Sequence, residues 1–402
     1  MLANVVLGNS MSPTDSADLV IVGAGCIGCS IALQTARLDK SLKITLLERQ
    51  HVAWGSTGRS TAIIRQHYSN PETAEMAFES LKVFENFQTD IGGESGFTPT
   101  GFLLAVGERD AGVLRRNVSM QRGLGIETSV LEPREIAELQ PGVNTSDLVA
   151  AAYEPRSGYA DPVATTQSFA AAAEKLGVKL LEQTKVVEIL ESGGKVRGVR
   201  TEIGEIQADS VVNATNVWSN QIMPRNHSKL PIKVLREQSC IFLKPKDYGT
   251  RLKIWGDFPT GFYFCPKGPE QLLTGSLESN LPEIEDPDNC EGVDYRTVET
   301  YSEKLVHRIP AMNHGRWERG WSGPYDVTPD WHPILDESTE VEGLYIAAGF
   351  SGHGFKLSPA IGKRMADFIV NGHKPKDLAI FRGSRFGEGK ELSGQYESNI
   401  IA

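Results

Sequence analysis

The chain has 402 residues, of which 40% are hydrophobic and 23% are charged, and it carries a formal net charge of -10 at pH 7. This length allows two domains, or one large α/β domain with an insertion. The acidic balance and the lack of a basic tract exclude nucleic acid as an expected partner, and no apolar run approaches the roughly 20 residues that a membrane span needs.

The cysteine content predicts a reducing, cytoplasmic location. Five cysteines form an odd and sparse set in a long chain, which argues against a disulfide framework. Residues 1–17 lack a basic region and an apolar core, so no secretory signal is predicted. Cys26 and Cys29 form a CxxC, which leaves open a redox pair or, as we favour, two small residues at a crowded turn. No second pair of ligands follows at a usable spacing, so no metal site is predicted.

A βαβ unit is the first element predicted along the chain. The apolar run at 18–22 indicates a buried parallel strand, a helix follows to about Leu38, and 43–48 is a second strand. The next predicted element is a helix at 75–90, followed by a Gly-, Thr- and Pro-rich stretch with a strand at 101–106 and a helical segment at 132–139. A helix at 162–176 and strands near 178–190, 196–201 and 209–215 come next. The last predicted elements are a mostly β region at 228–325, a strand at 344–349 and a helix at about 358–371.

This order of elements predicts a nucleotide-binding domain that is interrupted twice by a second domain. The first domain is predicted at 17–95, 151–225 and 331–385, and the second at 96–150 and 226–330. The polar and Gly-rich end of the chain, 386–402, and residues 1–16 are predicted to be flexible termini. Interleaving of this kind places a cleft between the domains, and clefts bind ligands.

The loop after the first strand has the spacing of a dinucleotide-binding fingerprint. Gly23 permits a tight turn, Gly25 lets the backbone approach a pyrophosphate, and Gly28 allows close packing of the helix on the strand. The remaining residues of the predicted cofactor site are Cys26 and Ile27 at the helix start, Glu48 at the ribose, Arg49 near the adenine or solvent, and Ser56, Thr57, Gly58, Arg59 and Ser60 along the pyrophosphate. The fingerprint alone does not distinguish NAD from FAD.

Seven motifs within residues 17–385 occur together: VIVGAGCIGCSIA, LLER, GSTGRSTAIIRQHY, GYADP, NATNVWS, GPYDVTPDWHPILD and GFSGHGFKLSPAIG. In this combination the chain resembles the FAD-dependent amine oxidoreductases of the sarcosine oxidase and D-amino acid oxidase (DAO) superfamily, nearest to sarcosine oxidase β-subunits and dimethylglycine dehydrogenase-like proteins. The resemblance implies the fold class α/β + α+β, with a Rossmann-type FAD-binding domain (a glutathione reductase-like βαβ) interleaved with a substrate domain built on a mostly antiparallel sheet.

The resemblance also implies roles for individual residues. Arg65 and Lys356 are expected to bind the substrate carboxylate, which suits a planar guanidinium and a second positive charge in a dry pocket. The alternatives are a structural ion pair for Arg65 and a solvated helix-start lysine for Lys356. Tyr263 is expected to cover the substrate and His353 to contact the flavin edge, with core packing and a structural histidine as equal alternatives. The further implied FAD contacts are Val186, Thr215, Gly349, Gly352, Gly354 and Phe355, together with His353 and Lys356, and Trp321 and Tyr325 are pocket candidates.

Four positions depart from the family pattern, and the first is Thr215, which stands where relatives usually write an alanine. Asn216 stands where relatives write a glycine, which puts the local flavin contact in question. Gly323 stands where some relatives carry a cysteine that attaches FAD covalently, so the FAD is expected to be noncovalent. Leu273 is aligned with a lysine that activates oxygen in some relatives, which leaves a dehydrogenase open beside an oxidase.

The resulting hypothesis is an enzyme that oxidises a small amino acid or N-alkyl amino acid, similar to sarcosine, proline or glycine. Its partners are a small anionic amine and either oxygen or an electron-transfer acceptor, in a homo-oligomer or a hetero-complex. A dehydrogenase subunit of a larger complex, an enzyme for an aminophosphonate, a flavin-binding subunit without activity and a nicotinamide-dependent dehydrogenase are the rival hypotheses. The flavin or nicotinamide cofactor carries such chemistry, so no catalytic triad is expected.

Overall fold

The computed structural model describes residues 16–246, 248–249 and 251–396. The predicted flexible N-terminus lies outside the described residues except for Ser16, and the same is true of 397–402 at the other end.

The strands of the described residues are, in chain order, β1 (Ser16–Val22), β2 (Ile44–Leu47), β3 (Ile63–Ile64), β4 (Phe102–Val106), β5 (Ser129–Leu131), β6 (Ala150–Glu154), β7 (Gly158–Tyr159), β8 (Lys179–Leu181), β9 (Val186–Ser192), β10 (Lys195–Thr201), β11 (Gly204–Asn213), β12 (Lys233–Leu243), β13 (Ile254–Asp257), β14 (Phe262–Lys267), β15 (Gln271–Ser276), β16 (Arg316–Val327), β17 (Ile334–Glu337) and β18 (Leu344–Ala348).

The α-helices are α1 (Cys26–Leu38), α2 (Pro71–Glu85), α3 (Phe87–Asp90), α4 (Glu108–Gly123), α5 (Pro133–Leu139), α6 (Pro162–Glu174), α7 (Ser219–Ile222), α8 (Tyr295–Arg308) and α9 (Gly354–Asn371), and short 3₁₀ turns connect several of them. In the part of the chain that the structure describes, no helix combines the length and apolar character that a bilayer span requires.

The first sheet is the predicted Rossmann-type sheet. Its order is β17-β18-β11-β1-β2-β8, and β9 and β10 extend from β11 as an antiparallel pair. Strand β1 pairs in parallel with β11 and β2, which makes a βαβ unit of β1, α1 and β2. Buried runs such as Leu19–Val22 explain the parallel arrangement, because strands covered on both faces are apolar throughout.

The second sheet is mostly antiparallel, with the order β16-β12-β15-β14-β13-β4-β6-β5. The pairing of β13 with β4 is the parallel exception. The predicted boundary at 151 is wrong by a few residues, because β6 (Ala150–Glu154) pairs with β4 in the second sheet. Otherwise the two sheets draw on the chain segments that the sequence assigned to the two predicted domains.

Helix α9 packs closely on α1 beside the first sheet. A Cβ atom at Gly362 would lie 2.1 Å from Ser30 Oγ, so this crossing requires a glycine. Pro359 lies inside α9 and has no N–H to donate to the Phe355 carbonyl. The Ser358 hydroxyl donates to that carbonyl instead, at 2.8 Å. This hydrogen bond lets the helix accommodate Pro359. The helix starts at Gly354, four residues before its predicted start, and Lys356 lies in its first turn.

Two long helices, α4 and α8, and the four-residue helix α7 were missed in the sequence. Helix α4 is charged along most of its length and contains Gly112 and Gly123, which lower helix propensity. Helix α8 lies in the region predicted as mostly β, although its buried residues Tyr301 and Leu305 are spaced by a helical turn.

The prediction of a flexible C-terminal segment is wrong for its described part, residues 386–396. Arg385, just before it, forms a buried ion pair with Asp330, with Nε 2.7 Å from Oδ2. The Leu392 amide donates to the same carboxylate. Tyr396 is buried and its hydroxyl lies 2.7 Å from His67 Nε2. These polar anchors fix a segment whose Gly-rich composition suggested mobility.

Candidate functional site

A large cavity lies where the carboxyl ends of β1 and β2 approach β12 and β16 of the second sheet. Its lining includes Val22 and Leu47 from the first sheet and Ser239 and Pro324 from the second. The loop between β18 and α9 supplies another side of the cavity. Residues of both sheets therefore line the cavity.

The glycine-rich loop forms one wall. Gly23 has a φ of 103°, and a Cβ there would lie 2.6 Å from the Ala214 carbonyl oxygen. The residues that line the cavity at the start of α1 are Gly25, Cys26 and Ile27. The N-cap residue is Gly25, which has no side chain to cap the helix. The first amides of a helix lack intrahelical acceptors, so this wall offers N–H donors and a positive dipole end to a phosphate.

Glu48 and Arg49 lie at the end of β2, as predicted, and both line the cavity. The Glu48 carboxylate accepts hydrogen bonds from the amides of Ala24 and Gln50, each at 3.0 Å. Burial raises the pKa of Glu48 above its ordinary value, and these hydrogen bonds oppose that effect. The carboxylate keeps free lone pairs for a ribose hydroxyl.

Arg49 contacts two neighbouring tryptophans that the sequence analysis did not assign, and the ring centroids of these tryptophans lie 6.2 Å apart. Its guanidinium carbon lies 4.6 Å from the Trp54 ring centroid and 4.1 Å from that of Trp218. It also forms an ion pair with Asp288. Both tryptophans line the cavity, and the NATNVWS motif was the signal for Trp218.

The segment 55–60 forms a second wall opposite the glycine-rich loop. The Thr57 hydroxyl accepts a hydrogen bond from the Cys26 amide at 3.2 Å, and the Ser56 hydroxyl donates to the Pro324 carbonyl at 2.9 Å. Asn216 has a φ of 58°, a left-handed conformation that suits glycine and that asparagine tolerates better than most residues. The structure thus accommodates the departure from glycine at this position.

Two cations lie together at another part of the cavity wall. Arg65 follows β3 and is 7% exposed, and Lys356 on α9 is 8% exposed. Arg65 donates to the His67 carbonyl, and its guanidinium carbon lies 4.3 Å from the Tyr68 ring centroid. Burial, and then the charge of Arg65, hold the pKa of Lys356 well below its ordinary value.

Neither cation has a carboxylate partner among the described residues. Within the described ranges, no acid lies within 4.0 Å of the charged nitrogens of Arg65 or Lys356. The Glu154 carboxylate is buried nearby but accepts from the Gln66 amide and the Ser157 hydroxyl instead. Two buried, unpaired positive charges are costly, so the arrangement favours a bound anion over a structural ion pair.

His353 joins this cationic group. Its Nδ1 lies 3.2 Å from the Tyr68 hydroxyl and 3.5 Å from Arg65 Nη2. Burial lowers the pKa of His353 well below its ordinary value, and the charges of Lys356 and Arg65 lower it further. The ring is therefore neutral. Because Nδ1 faces donors, we assign the proton to Nε2, which has no partner among the described residues.

Two tyrosines complete the wall formed by the second sheet. Tyr263 and Tyr325 both line the cavity and are held by glycines. A Cβ at Gly275 would lie 2.2 Å from the Tyr263 hydroxyl oxygen, and one at Gly352 would lie 2.6 Å from the Tyr325 ring. Gly352, predicted to contact the cofactor, thus also makes room for an aromatic side chain.

Most predicted site residues converge on this cavity, and some do not. Val186, Thr215, Arg59, Ser60, Gly354 and Phe355 line it. Gly28, Gly58 and Gly349 do not; a Cβ at these positions would lie 1.9 Å from Gly23 O, 2.5 Å from Ala53 O and 2.4 Å from Thr328 Cγ2. These three glycines fit close packing behind the wall.

Two more candidate positions lie outside the lining. Trp321 donates to the Arg59 carbonyl at 2.9 Å and so supports the segment 55–60. Leu273 is buried in the second hydrophobic core, opposite Cys265. The residues of this stretch that do line the cavity are Ser276 and Leu277, so the alignment of Leu273 with an oxygen-activating lysine is not supported by its position.

Cys26 and Cys29 lie in the first turn of α1 and are buried. Burial raises the pKa of Cys26 to about 11 and that of Cys29 well above its ordinary value, so both are thiols at neutral pH. That favours the packing role of the CxxC over a redox role. The described part of the chain contains no group of three or more His, Cys, Asp or Glu side chains arranged to hold a metal ion.

Comparison with protein families gives a match over most of the chain. The model of the DAO family, described as FAD dependent oxidoreductase, matches residues 18–368. Sarcosine oxidase subunit beta of Rhodobacter capsulatus is 26% identical over 97% of this chain and 94% of its own length. Sarcosine dehydrogenase of Homo sapiens is 26% identical over 95% of this chain, which spans 43% of that longer protein.

Solved structures give the same result. The L-proline dehydrogenase from P. horikoshii superposes with a TM-score of 0.86 at 30% sequence identity, covering 94% of this chain and 100% of that one. The Rossmann-type domain and the mostly antiparallel second sheet are thus those of known FAD enzymes.

We predict that Gly28→Ala prevents FAD retention. The new methyl group would overlap the Gly23 carbonyl oxygen at 1.9 Å, which forces the glycine-rich loop and α1 apart. Overpacking of this kind lowers the free energy of unfolding by about 1–3 kcal/mol. The measurement is the ratio of flavin to protein absorbance after purification, with urea unfolding for stability.

Gly112→Ala is the matched control, because it is the same substitution in a helix, α4, where the nearest atom lies 3.7 Å away. It should retain FAD and stabilise the protein by about 0.5–1 kcal/mol. Full FAD retention in Gly28→Ala would show that the loop has room that the structure does not show.

Proposed function

The chain belongs to the DAO family of FAD-dependent oxidoreductases, and we propose that it oxidises a small amino acid or N-alkyl amino acid at the carbon that bears the nitrogen. The observation that carries the proposal is the pair of buried cations, Arg65 and Lys356, which line the cavity without a carboxylate partner in the described part of the chain. A substrate carboxylate supplies the missing negative charge.

The cavity walls fit FAD. The amide-rich start of α1 and the polar segment 55–60 would hold the pyrophosphate, and Glu48 would hold the ribose. We propose that Val186 and Thr215 on the first-sheet side, and Gly352, His353 and Gly354 before α9, hold the other parts of the cofactor. Cys26 is the cysteine among the lining residues, and its buried thiol has a raised pKa, which supports noncovalent FAD.

Substrate orientation is the task of the protein side chains in this proposal. When bound, FAD accepts a hydride from the substrate carbon next to nitrogen. Arg65 offers its planar guanidinium and Lys356 a second charge to the carboxylate, so that the carboxylate fixes the position of the neighbouring carbon. Tyr263 and Tyr325 exclude water from the wall opposite, and the resulting imine hydrolyses after release.

A second candidate is a dehydrogenase that passes electrons to an acceptor other than oxygen, alone or as a subunit of a complex. The lysines that line the cavity within the described residues are Lys185 and Lys356. Lys356 belongs to the proposed anion site, and Lys185 lies on the side of Thr184 and Val186. Among the described residues, no further lysine lines the second-sheet wall of the cavity, which favours an acceptor other than oxygen.

The experiment that tests the proposal is anaerobic mixing of the purified protein with sarcosine, dimethylglycine, proline, pipecolate, glycine, both alanine enantiomers and an aminophosphonate. We expect the flavin absorbance to bleach with at least one carboxylate-bearing amine. Admission of air then separates an oxidase, which recovers its colour at once, from a dehydrogenase, which does not. Bleaching by the aminophosphonate alone would show that the substrate carries a phosphonate in place of the carboxylate. Bleaching by none of the compounds would contradict the proposed activity.

We predict that Arg65→Ala raises KM for that substrate by about 30- to 1,000-fold, which corresponds to about 2–4 kcal/mol for loss of one buried charged partner. Arg65→Lys should have an intermediate KM, because a lysine keeps the charge but lacks the bidentate geometry. FAD stays bound in both. Steady-state kinetics and the flavin-to-protein ratio measure these effects.

Lys356→Met should raise KM at low pH and make it less dependent on pH. The pKa of Lys356 is depressed, so the lysine is charged below that pKa and loses its attraction for an anion as the pH rises through it. Lys267→Met is the control, since Lys267 is a largely buried lysine outside the lining that donates to the Thr61 carbonyl. Equal effects of the two substitutions on KM would contradict the anion site.

A further inference from the structure

One buried acid lines the cavity without a place in the proposed function. Glu237 lies in the middle of β12, opposite Gly323 of β16, and is 4% exposed. The strand sequence KVLREQSCIFL gives no local motif for it. Its side chain lines the same cavity as Arg65 and Lys356, but it forms no ion pair with either of them.

The two carboxylate oxygens of Glu237 differ in their environments. Oε1 accepts a hydrogen bond from the Ser276 amide at 2.9 Å, which fixes the side chain against the end of β15. Oε2 is buried and has no hydrogen-bond partner among the described residues. A buried carboxylate oxygen without a donor is costly, and the residues that surround it provide none. A molecule bound in the cavity can supply that donor.

The titratable groups around Glu237 are acids and neutral hydroxyls or thiols. Glu278 lies just beyond β15, Tyr263 comes from β14, Tyr325 from β16 and Tyr301 from α8. Cys240 lies on the same strand. Burial, and then the charge of Glu278, raise the pKa of Glu237 to about 8, while the Ser276 amide acts in the opposite direction. No basic side chain contributes to that balance.

We propose that Glu237 receives the amino group of the substrate at Oε2 and accepts a proton from its ammonium form before oxidation. The inference rests on the proposed function, because it takes the substrate to be an amine held by its carboxylate at Arg65 and Lys356. It extends that function by naming the group that binds the nitrogen. It also defines the substrate class as amines that carry at least one N–H when they bind.

The proton and electron balance is complete with the proposed cofactor. The N–H bond of the ammonium breaks, its electron pair stays on nitrogen as a lone pair, and the proton forms an O–H bond with Oε2. The C–H bond next to nitrogen then breaks, and its two electrons leave with the hydride to FAD. The nitrogen lone pair forms the C=N bond, so the substrate is oxidised by two electrons and the cofactor is reduced by two.

The test is the pH dependence of kcat/KM for Glu237→Gln beside the wild type. Glutamine still accepts from the Ser276 amide, so the fold is retained, but it cannot take a proton. In the wild type, kcat/KM should rise tenfold per pH unit and level off near the pKa of Glu237, about 8. In the variant the rise should continue to the pKa of the free amine, about 10 as for an alkylamine. Lys356 is present in both proteins, so its titration cancels in the comparison.

Glu278→Gln is the matched variant, because Glu278 does not line the cavity and pairs with Lys304 at 2.8 Å. Removing its charge lowers the pKa of Glu237. The bend in the pH profile, which is the pH at which kcat/KM levels off, should therefore move to lower pH. Arg65 and Lys356 are unchanged in this variant. A bend that stays in place in both variants belongs to another group and overturns the proposal. This variant also keeps the test decisive if Glu237→Gln does not fold.

A binding measurement gives a readout without turnover. 2-Methylalanine has no hydrogen on the carbon next to nitrogen, and isobutyrate is the same acid without the amine. We expect Glu237→Gln to lose about tenfold of the wild-type preference for 2-methylalanine over isobutyrate, the size of one charge-assisted hydrogen bond. An unchanged preference overturns the role of Glu237. Unchanged isobutyrate binding in Arg65→Ala would instead overturn the proposed function, so the two failures are distinguishable.

Discussion

The interior of this protein holds two cationic side chains, Arg65 and Lys356, on one cavity wall, and none of the described residues places a carboxylate beside them. Such a pair is held in place only by the surrounding fold. Arg65 donates to the His67 carbonyl and stacks over Tyr68, and Lys356 is buried in the first turn of α9. Burial and the charge of Arg65 lower the pKa of Lys356, because a second positive charge at this wall is unfavourable when no anion is bound. The free energy that burial costs the cations is recovered when an anion binds.

Close backbone packing brings the walls of the cavity together. A side chain at Gly28 would overlap the loop that starts α1, and one at Gly362 would separate α9 from α1. Since α9 carries Lys356 and α1 follows the glycine-rich loop, these two contacts set the relative position of the walls that we propose to hold the substrate anion and the FAD pyrophosphate. At the second sheet, Gly275 and Gly352 give Tyr263 and Tyr325 room to complete the wall.

The sequence was sufficient for the fold and for most of the cavity, because local motifs carry that information. The GxGxxG spacing, the acid at the end of β2 and the Ile-Ile-Arg run all led to lining residues such as Gly25, Glu48 and Arg65. Glu237 could not be found in this way, because it stands among other polar residues of β12, and its burial in the cavity wall is evident only when the neighbours from β14, β15 and β16 are known. Tyr396 was missed for a similar reason: its contact with His67 joins residues that are 329 positions apart.

The central claim is that the substrate is held by its carboxylate, and the most direct measurement compares amines with and without that group. Anaerobic flavin reduction would be followed with proline beside pyrrolidine and sarcosine beside dimethylamine, at equal concentrations of unprotonated amine. If Arg65 and Lys356 bind the carboxylate, the better amino acid should reduce the flavin at least about 100-fold more efficiently than its decarboxylated counterpart. Equal efficiencies within a pair would show that the two buried cations do not hold the substrate.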